Sequence, residues 1–257
     1  MIRVVGWNIQ QGGGARAEAI CQTLSQIEPD VCVLVEFRAS QASQKIRQHL
    51  AKALKLRHSL PRSNRPEAYQ PDLLVASRLP LEACRIPLRA ASPEVARLAA
   101  SRWLPCLVGK AHKFLLGAVH VPNRRQPTGT PATVKREFLR ALVAVARKAG
   151  EQPGLIIGDF NTGRRGQDEE HPEAPVFDLP EDQFMVDMDQ VWKDAFWCGP
   201  RLAVEYSWLN KGSQRHFRID HAFVHPALLP SLRCYYLENY DYSASDHRPL
   251  IVEFDLA

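Results

Sequence analysis

The chain has 257 residues, 33 of them Lys or Arg and 28 Asp or Glu, for a formal net charge of +5, and 45% of the residues are hydrophobic. That length allows one large domain or two small ones, and the hydrophobic content fills a sizeable core, which argues against disorder. No apolar run approaches the ~18 to 20 residues that cross a bilayer as a helix, and the start has neither a basic leader nor a signal-length apolar segment, so a soluble cytoplasmic protein with no membrane partner is expected.

Six cysteines, at positions 21, 32, 84, 106, 198 and 234, are too far apart for a Cys-x-x-Cys pair. Buried reduced thiols are the simplest account, with neither a disulfide framework nor a cysteine zinc site. Residues 4–9 make an extended run, after which Ile20, Leu24 and Ile27 recur at helical spacing until Pro29 stops them. Residues 31–35 are apolar at every position, which predicts a strand in a sheet covered on both faces. Ile46, Leu50 and Leu54 mark a second helix. Strands are predicted at 73–77, 103–108 and 114–121, then a helix carrying Val134, Phe138, Leu142 and Val145. Further strands follow at 155–158, 217–224 and 249–254. With no internal repeat and no Gly/Ser linker, the economical reading is a single α/β domain over residues 1–257.

Polar residues stand where the strand patterns stop, the place where α/β proteins put their sites. Asn8 and Glu36 end the first two strands, His120 the one at 114–121, and Asp159 and Asn161 follow 155–158. Asp220 lies within 217–224, and Asp246 and His247 precede the last strand. Taken singly, each has a plain explanation as a turn residue or a solvated strand end. Together they supply what phosphate-ester hydrolysis needs. A hard cation such as Mg²⁺ takes carboxylate and amide oxygens, which Glu36 and Asn8 offer. Asp159 flanked by Asn161 can orient and deprotonate a water, His247 can face the phosphoryl oxygens, and Asp220 can fix the histidine tautomer.

The ordered segments Trp7-Asn8-Ile9-Gln10, Val35-Glu36, His120-Val121-Pro122-Asn123, Gly158-Asp159-Phe160-Asn161, Arg218-Ile219-Asp220-His221 and Ser245-Asp246-His247-Arg248-Pro249 resemble the endonuclease/exonuclease/phosphatase superfamily, which includes exonuclease III-like abasic-site endonucleases, DNase I and several phosphatases. The resemblance implies a DNase I-like fold, a two-sheet β-sandwich flanked by helices on both faces. It also implies Glu36 as the main ligand of Mg²⁺ or Mn²⁺, with Asn8 and Asp246 in or next to the shell. Asp159, Asn161, His247, Asp220 and His120 would be catalytic, and Asn123 would contact phosphate. Gln10 stands where abasic-site endonucleases carry Asp or Asn. His120 stands where they carry Tyr, and His there is commoner in DNase I-like and phosphatase branches. Tyr206, Trp208 and Phe217 fall where relatives line a pocket for a flipped sugar or base, although core packing also explains them. His221 is expected to be a packed structural histidine, and Trp103, Trp192 and Trp197 to lie in the core or at its margins.

Basic residues cluster in predicted loops: Arg57, Arg62 and Arg65; Arg124 and Arg125; Arg164 and Arg165; Arg215 and Arg218. A polyanionic partner fits these clusters, with scattered surface arginine as the alternative. Residues 168–189 hold nine of the acidic residues, no Lys or Arg, and prolines at 172, 175 and 180, which predicts a long loop. Nine uncompensated carboxylates starting close to Asn161 would repel a long polyanion and favour a single strand, an end or a distorted site over continuous regular duplex; the alternative is a solvated loop pointing away. The expected activity is that of a metal-dependent phosphodiesterase, a nuclease acting on DNA with Arg124, Arg164 and Arg165 among its substrate contacts. A phosphatase or phosphodiesterase for a smaller substrate, and a catalytically idle nucleic-acid-binding protein, are the alternatives. No obligate protein partner is expected.

Overall fold

The computed structural model describes residues 1–61, 72–88, 92–123, 131–199 and 205–256. The first half runs β1 (Ile2–Asn8), α1 (Ala17–Ile27), β2 (Val31–Phe37), α2 (Gln41–Lys52), β3 (His58–Pro61), β4 (Asp72–Ser77) and β5 (Leu81–Ala83). There follow α3 (Pro93–Arg102), β6 (Trp103–Val108), β7 (Phe114–His120), α4 (Ala132–Lys148), β8 (Gly154–Asp159) and α5 (Leu179–Asp189). The chain closes with β9 (Lys193–Asp194), β10 (Trp208–Asn210), β11 (Arg215–Phe217), β12 (Asp220–Val224), β13 (Arg233–Tyr236) and β14 (Leu250–Phe254).

Two six-stranded sheets result, ordered β13-β14-β1-β2-β4-β3 and β5-β6-β7-β8-β12-β9, with β10-β11 as a separate ribbon. Each sheet contains one parallel pair, β1 with β2 and β7 with β8. The layering follows from alternation along the strands. In β2, Val31, Val33 and Val35 pack between the sheets, while Cys32 and Leu34 face α1 and α2. On the outer face of the second sheet, Trp103, Leu115, Val119 and Ile156 pack against α3, α4 and α5. This is the helix-sheet-sheet-helix order expected, and each fully buried aliphatic side chain in it contributes roughly 1.5–3 kcal/mol.

Gly6 decides how closely the two sheets meet at the functional end. A Cβ there would lie 2.6 Å from Cγ1 of Ile157 on β8, so only glycine lets β1 lie this near. Two residues further along, Asn8 reaches Asp159 across the gap at 3.0 Å.

Several elements depart from their sequence-based expectation. The run 217–224 is split into β11 and β12 because Arg218 is completely buried, bonded by Asp168 and Asp194. Residues 168–189 are not one long loop, since Leu179–Asp189 forms α5. Asp178 caps its N-terminus by accepting from the Glu181 amide, and Pro180 sits in its first turn, where a missing N–H costs nothing. The carboxylates there are largely compensated: Asp168 pairs with Arg218, Glu181 with Lys135 and Asp178 with Arg136, and Glu169 accepts from the amides of Gly166, Val176 and Phe177. Arg218 therefore leaves the surface basic set, and Arg62, Arg65, Arg124 and Arg125 lie outside the described residues.

All six cysteines are unpaired; Cys21, Cys32, Cys106 and Cys234 are buried as expected, Cys84 is half-buried and Cys198 is exposed. Trp103 and Trp192 are core residues and Trp197 packs at the margin. Among the described residues no helix is long and apolar enough to cross a membrane.

Candidate active site

The ends of the two parallel pairs converge. Register places His120 beside Asp159 in one sheet, with Asp220 opposite Asp159 on the antiparallel neighbour, and Asn8 beside Val35 in the other. One cleft is lined by Asn8, Gln10, Glu36, Arg38, Arg102, His120, Asn123, Asp159, Asn161, Trp208, Asp246 and His247, among others.

Glu36 reaches the cleft through a backbone irregularity. Strict alternation would point it at the helices with Leu34, but the pairing of β2 with β4 shifts between Val35 and Phe37, and Glu36 has a φ of 59°. The bulge turns Glu36 inward and sends Phe37 to the helix side instead. Its Oε2 accepts from the Gln11 amide at 2.7 Å and its Oε1 from the Asn8 side chain at 3.3 Å.

Asp159 is buried at the end of β8. Its Oδ1 accepts from the Asn161 amide at 2.8 Å, and its Oδ2 from the side-chain nitrogens of Asn8 at 3.0 Å and Asn161 at 3.2 Å. Asn161 adopts a left-handed conformation, φ 49°, and also donates from Nδ2 to the Val121 carbonyl. Burial, together with the Asp220 charge and against the pull of His247, Asn161 and Asn8, pushes the Asp159 carboxyl up to about 7. The group thus changes protonation near neutrality.

His247 Nδ1 lies 2.8 Å from Asp220 Oδ2. Burial disfavours the charged ring, yet the charge of Asp220, its hydrogen bond and the charges of Asp159 and Asp246 outweigh it and raise His247 to about 10. Ser207 holds Asp220 by accepting from the Ile219 and Asp220 amides, both at 3.0 Å, and Tyr236 donates to the Asp220 carbonyl at 2.6 Å. Trp7 Nε1 donates to the His247 carbonyl, and Ser245 Oγ donates to the Asn8 carbonyl while accepting from the His247 amide. His120 has its Nε2 3.7 Å from Asp159 Oδ2, and burial, Arg102 and His247 hold it well below the usual histidine range, so its ring is neutral.

Asp246 accepts on Oδ2 from Gln10 Nε2 at 3.1 Å and Trp208 Nε1 at 3.2 Å. Its Oδ1 is buried with no hydrogen-bond partner among the described residues. An orphaned carboxylate oxygen in a cleft that also holds Glu36 and Asn8 is an all-oxygen donor set, which fits a hard divalent cation. Oxygen and nitrogen atoms of Asp159, Asp220 and His247 also lie within 4.8 Å of one another, but the Asp220–His247 ion pair already satisfies part of that group.

The remaining sequence candidates divide. Trp208 lines the cleft and, with Phe217, the aromatic wall of an adjoining cavity that Asn123 and Asn161 share. Tyr206 stacks on His216 and is not among the cleft-lining residues. Arg164 is paired with Asp194, and Arg165 donates to the Phe177 carbonyl. Arg124 lies outside the described residues, and His221 is buried with Nε2 on the Thr162 carbonyl, a packed residue as expected. Sequence reasoning missed Arg38 and Arg102, the two arginines that line the cleft among the described residues, and Ser207. Arg102 ends α3, whose Ser92-Pro93-Glu94 start is a legible helix signal. Nothing in the sequence marks Ser207.

No curated protein sequence is a significant match to the chain. Three solved structures superpose on 99% of it and 100% of their own chains. They are described as the 3′ phosphatase NExo from Neisseria bound to product DNA hairpin (20% identity, TM-score 0.75), the 3′-5′ exonuclease NExo from Neisseria meningitidis (20%, 0.74) and an AP endonuclease from Archaeoglobus fulgidus (16%, 0.75). At these identities they establish the fold. The pattern of the Endonuclease/Exonuclease/phosphatase family matches residues 5–247, almost the whole chain and every strand end described above. The chain belongs to that family and is a hydrolase of phosphate esters.

Proposed function

We propose that the protein is a divalent-metal-dependent nuclease that hydrolyses DNA phosphodiester bonds. The observation that carries this reading is the buried Asp159 held by two asparagines, facing a histidine kept charged by Asp220, beside an all-oxygen corner and two arginines in one open cleft. Glu36, Asn8 and Asp246 would hold Mg²⁺ or Mn²⁺, which when bound neutralises phosphoryl charge. Asp159 accepts the proton of the attacking water, and Asn8 and Asn161 keep its carboxylate aimed. His247, with Nδ1 committed to Asp220, has Nε2 left for the phosphoryl oxygens, where its positive charge is most useful as negative charge builds up. Neutral His120, with Asn123, Arg38 and Arg102, would contact phosphate. Trp208 and Phe217 would receive the sugar or base next to the scissile bond. Tyr206, Arg164 and Arg165 are not among the residues lining the cleft, and the proposal gives them no role. Six unpaired cysteines suit a reducing compartment such as the cytoplasm.

The DNA assignment draws on the relatives that act on DNA and on the cleft arginines. A second reading, a phosphatase for a terminal phosphate, is favoured by the structural likeness to a 3′ phosphatase. One panel separates them: labelled single-stranded, duplex, abasic and 3′-phosphorylated oligonucleotides plus generic phosphomonoesters, incubated with Mg²⁺, Mn²⁺ or chelator. Metal-dependent chain cleavage supports the nuclease. Release of phosphate alone supports the phosphatase, and metal-independent turnover overturns both.

A further inference from the structure

We propose that Lys135 on α4 is a positioning residue that holds the turn 159–161 in its working shape through the main-chain carbonyl of Asn161, with Glu181 on α5 fixing Lys135 in turn. The inference rests on reading Asp159 and Asn161 as working residues of the cleft.

Lys135 is among the largest fully buried side chains of the molecule. Its Nζ donates to the Asn161 carbonyl at 2.7 Å and lies 2.6 Å from Glu181 Oε1, with the two side chains 3% and 5% exposed. A buried ammonium is costly, and a buried ion pair is commonly no more stabilising than apolar residues of the same volume. A lysine retained here is therefore explained less by packing than by what its other partner needs. That partner is Asn161, whose left-handed backbone, φ 49°, is one that Asn tolerates, so what Lys135 adds is a fixed orientation of the peptide that carries the carbonyl.

The surroundings grip Asn161 from two directions. On the cleft side its amide and side chain bond both oxygens of Asp159 and the Val121 carbonyl. At its carbonyl the only charged donor among the described contacts is Lys135. Releasing that carbonyl lets the peptide rotate and withdraws two donors from Asp159 together. The α4–α5 pair thus acts on Asp159 through the turn at Asn161, while Lys135 and Glu181 also line the adjoining cavity walled by Trp208 and Phe217, and part of the acidic segment 168–189 serves the site through Glu181.

The test uses the full chain and bis(p-nitrophenyl) phosphate, a phosphodiester that carries no base or sugar. Lys135→Met combined with Glu181→Met removes both charges and avoids leaving one carboxylate stranded. This paired variant is expected to lose about tenfold or more in kcat with KM within about twofold, because misplacement costs rate rather than binding. Added to Asn161→Ala it is expected to lower kcat by no more than about twofold beyond Asn161→Ala alone, since both changes act on one turn. Amide exchange at Asn161, read by NMR, is expected to quicken in the paired variant while the amides of β7 stay protected. Unchanged kcat, multiplying effects with Asn161→Ala, or unchanged exchange at Asn161 each overturns the proposal. If the paired variant fails to fold, Glu181→Gln, which loosens the grip on Lys135 at constant shape, is read by the same three measures. If the wild-type protein cleaves no phosphodiester, the functional reading fails and the exchange measurement still decides the role of Lys135.

Discussion

The protonation pattern around Asp159 makes the most direct claims at the scale of single residues. Asp159→Asn keeps shape and hydrogen-bonding volume but cannot accept a proton, so kcat should fall by on the order of 10² to 10⁴ with KM little changed. Near-normal turnover in a folded variant would remove Asp159 from the chemistry. Since its carboxyl is raised to about 7, chiefly by burial, the wild-type rate should show an acid limb in that region at limiting metal. More Mg²⁺ should move the limb to lower pH, because a nearby cation favours the ionised form. His247 is also raised, but in its case the charged form is the one favoured. Its folded value near 10 exceeds the ordinary 6.5, so its contribution to stability is complete below about pH 6.5 and is lost as pH rises through about 10. Asp220→Asn removes the main force holding the proton on the ring, so the alkaline limb of kcat should move to lower pH; an unmoved limb would mean His247 is not the group titrating. Asp159, Asp220 and His247 were legible in the sequence as candidates because they are polar residues at strand ends within apolar runs. Arg102 was not, since one arginine among 33 basic residues carries no mark until α3 delivers it to the cleft.

At the scale of elements, prolines and acidic residues misled where their partners lie far away in sequence. Pro172, Pro175 and Pro180 suggested an irregular loop, yet a proline in the first turn is a helix-start signal when an Asp cap precedes it, as Asp178 does. The carboxylates looked uncompensated because their cations, Lys135, Arg136 and Arg218, come from other elements. Asp168, Asp178 and Glu181 thus act as internal struts rather than as uncompensated charge. Asp168→Asn should accordingly destabilise the fold, by about 3–5 kcal/mol if Arg218 is left without adequate charge compensation, with Asp194 limiting the loss. Glu173→Gln, at an exposed position beside His171, should shift stability by less than about 0.5 kcal/mol. Comparable melting shifts in the two variants, followed by denaturant unfolding, would contradict this division. The bulge at Glu36 was equally invisible beforehand: period-two patterning places position 36 on the helix side, and only the pairing with β4 reveals the extra residue.

Across the whole molecule, two sheets that share few sequence-local contacts bring their strand ends to one place, and the closeness of that approach is set at Gly6. Apolar runs made a sheet covered on both faces readable and the family resemblance implied the second sheet, whereas the meeting of Asn8 with Asp159 accompanies a missing Cβ at Gly6 that no periodicity reports. The same long-range assembly gathers Arg38 and Arg102 around the cleft while it consumes Arg164 and Arg218 in internal pairs. The salt dependence of binding a long polyanion reports how many cations contact it. For an oligonucleotide the logarithm of KM should rise steeply with the logarithm of salt concentration, while a small chromogenic phosphodiester should show a shallow slope. Arg102→Met should flatten the oligonucleotide slope by about one and leave that of the small substrate nearly unchanged. Should both substrates respond to salt alike, the cleft does not follow a nucleic-acid backbone, and the small-substrate phosphatase becomes the reading that the geometry supports.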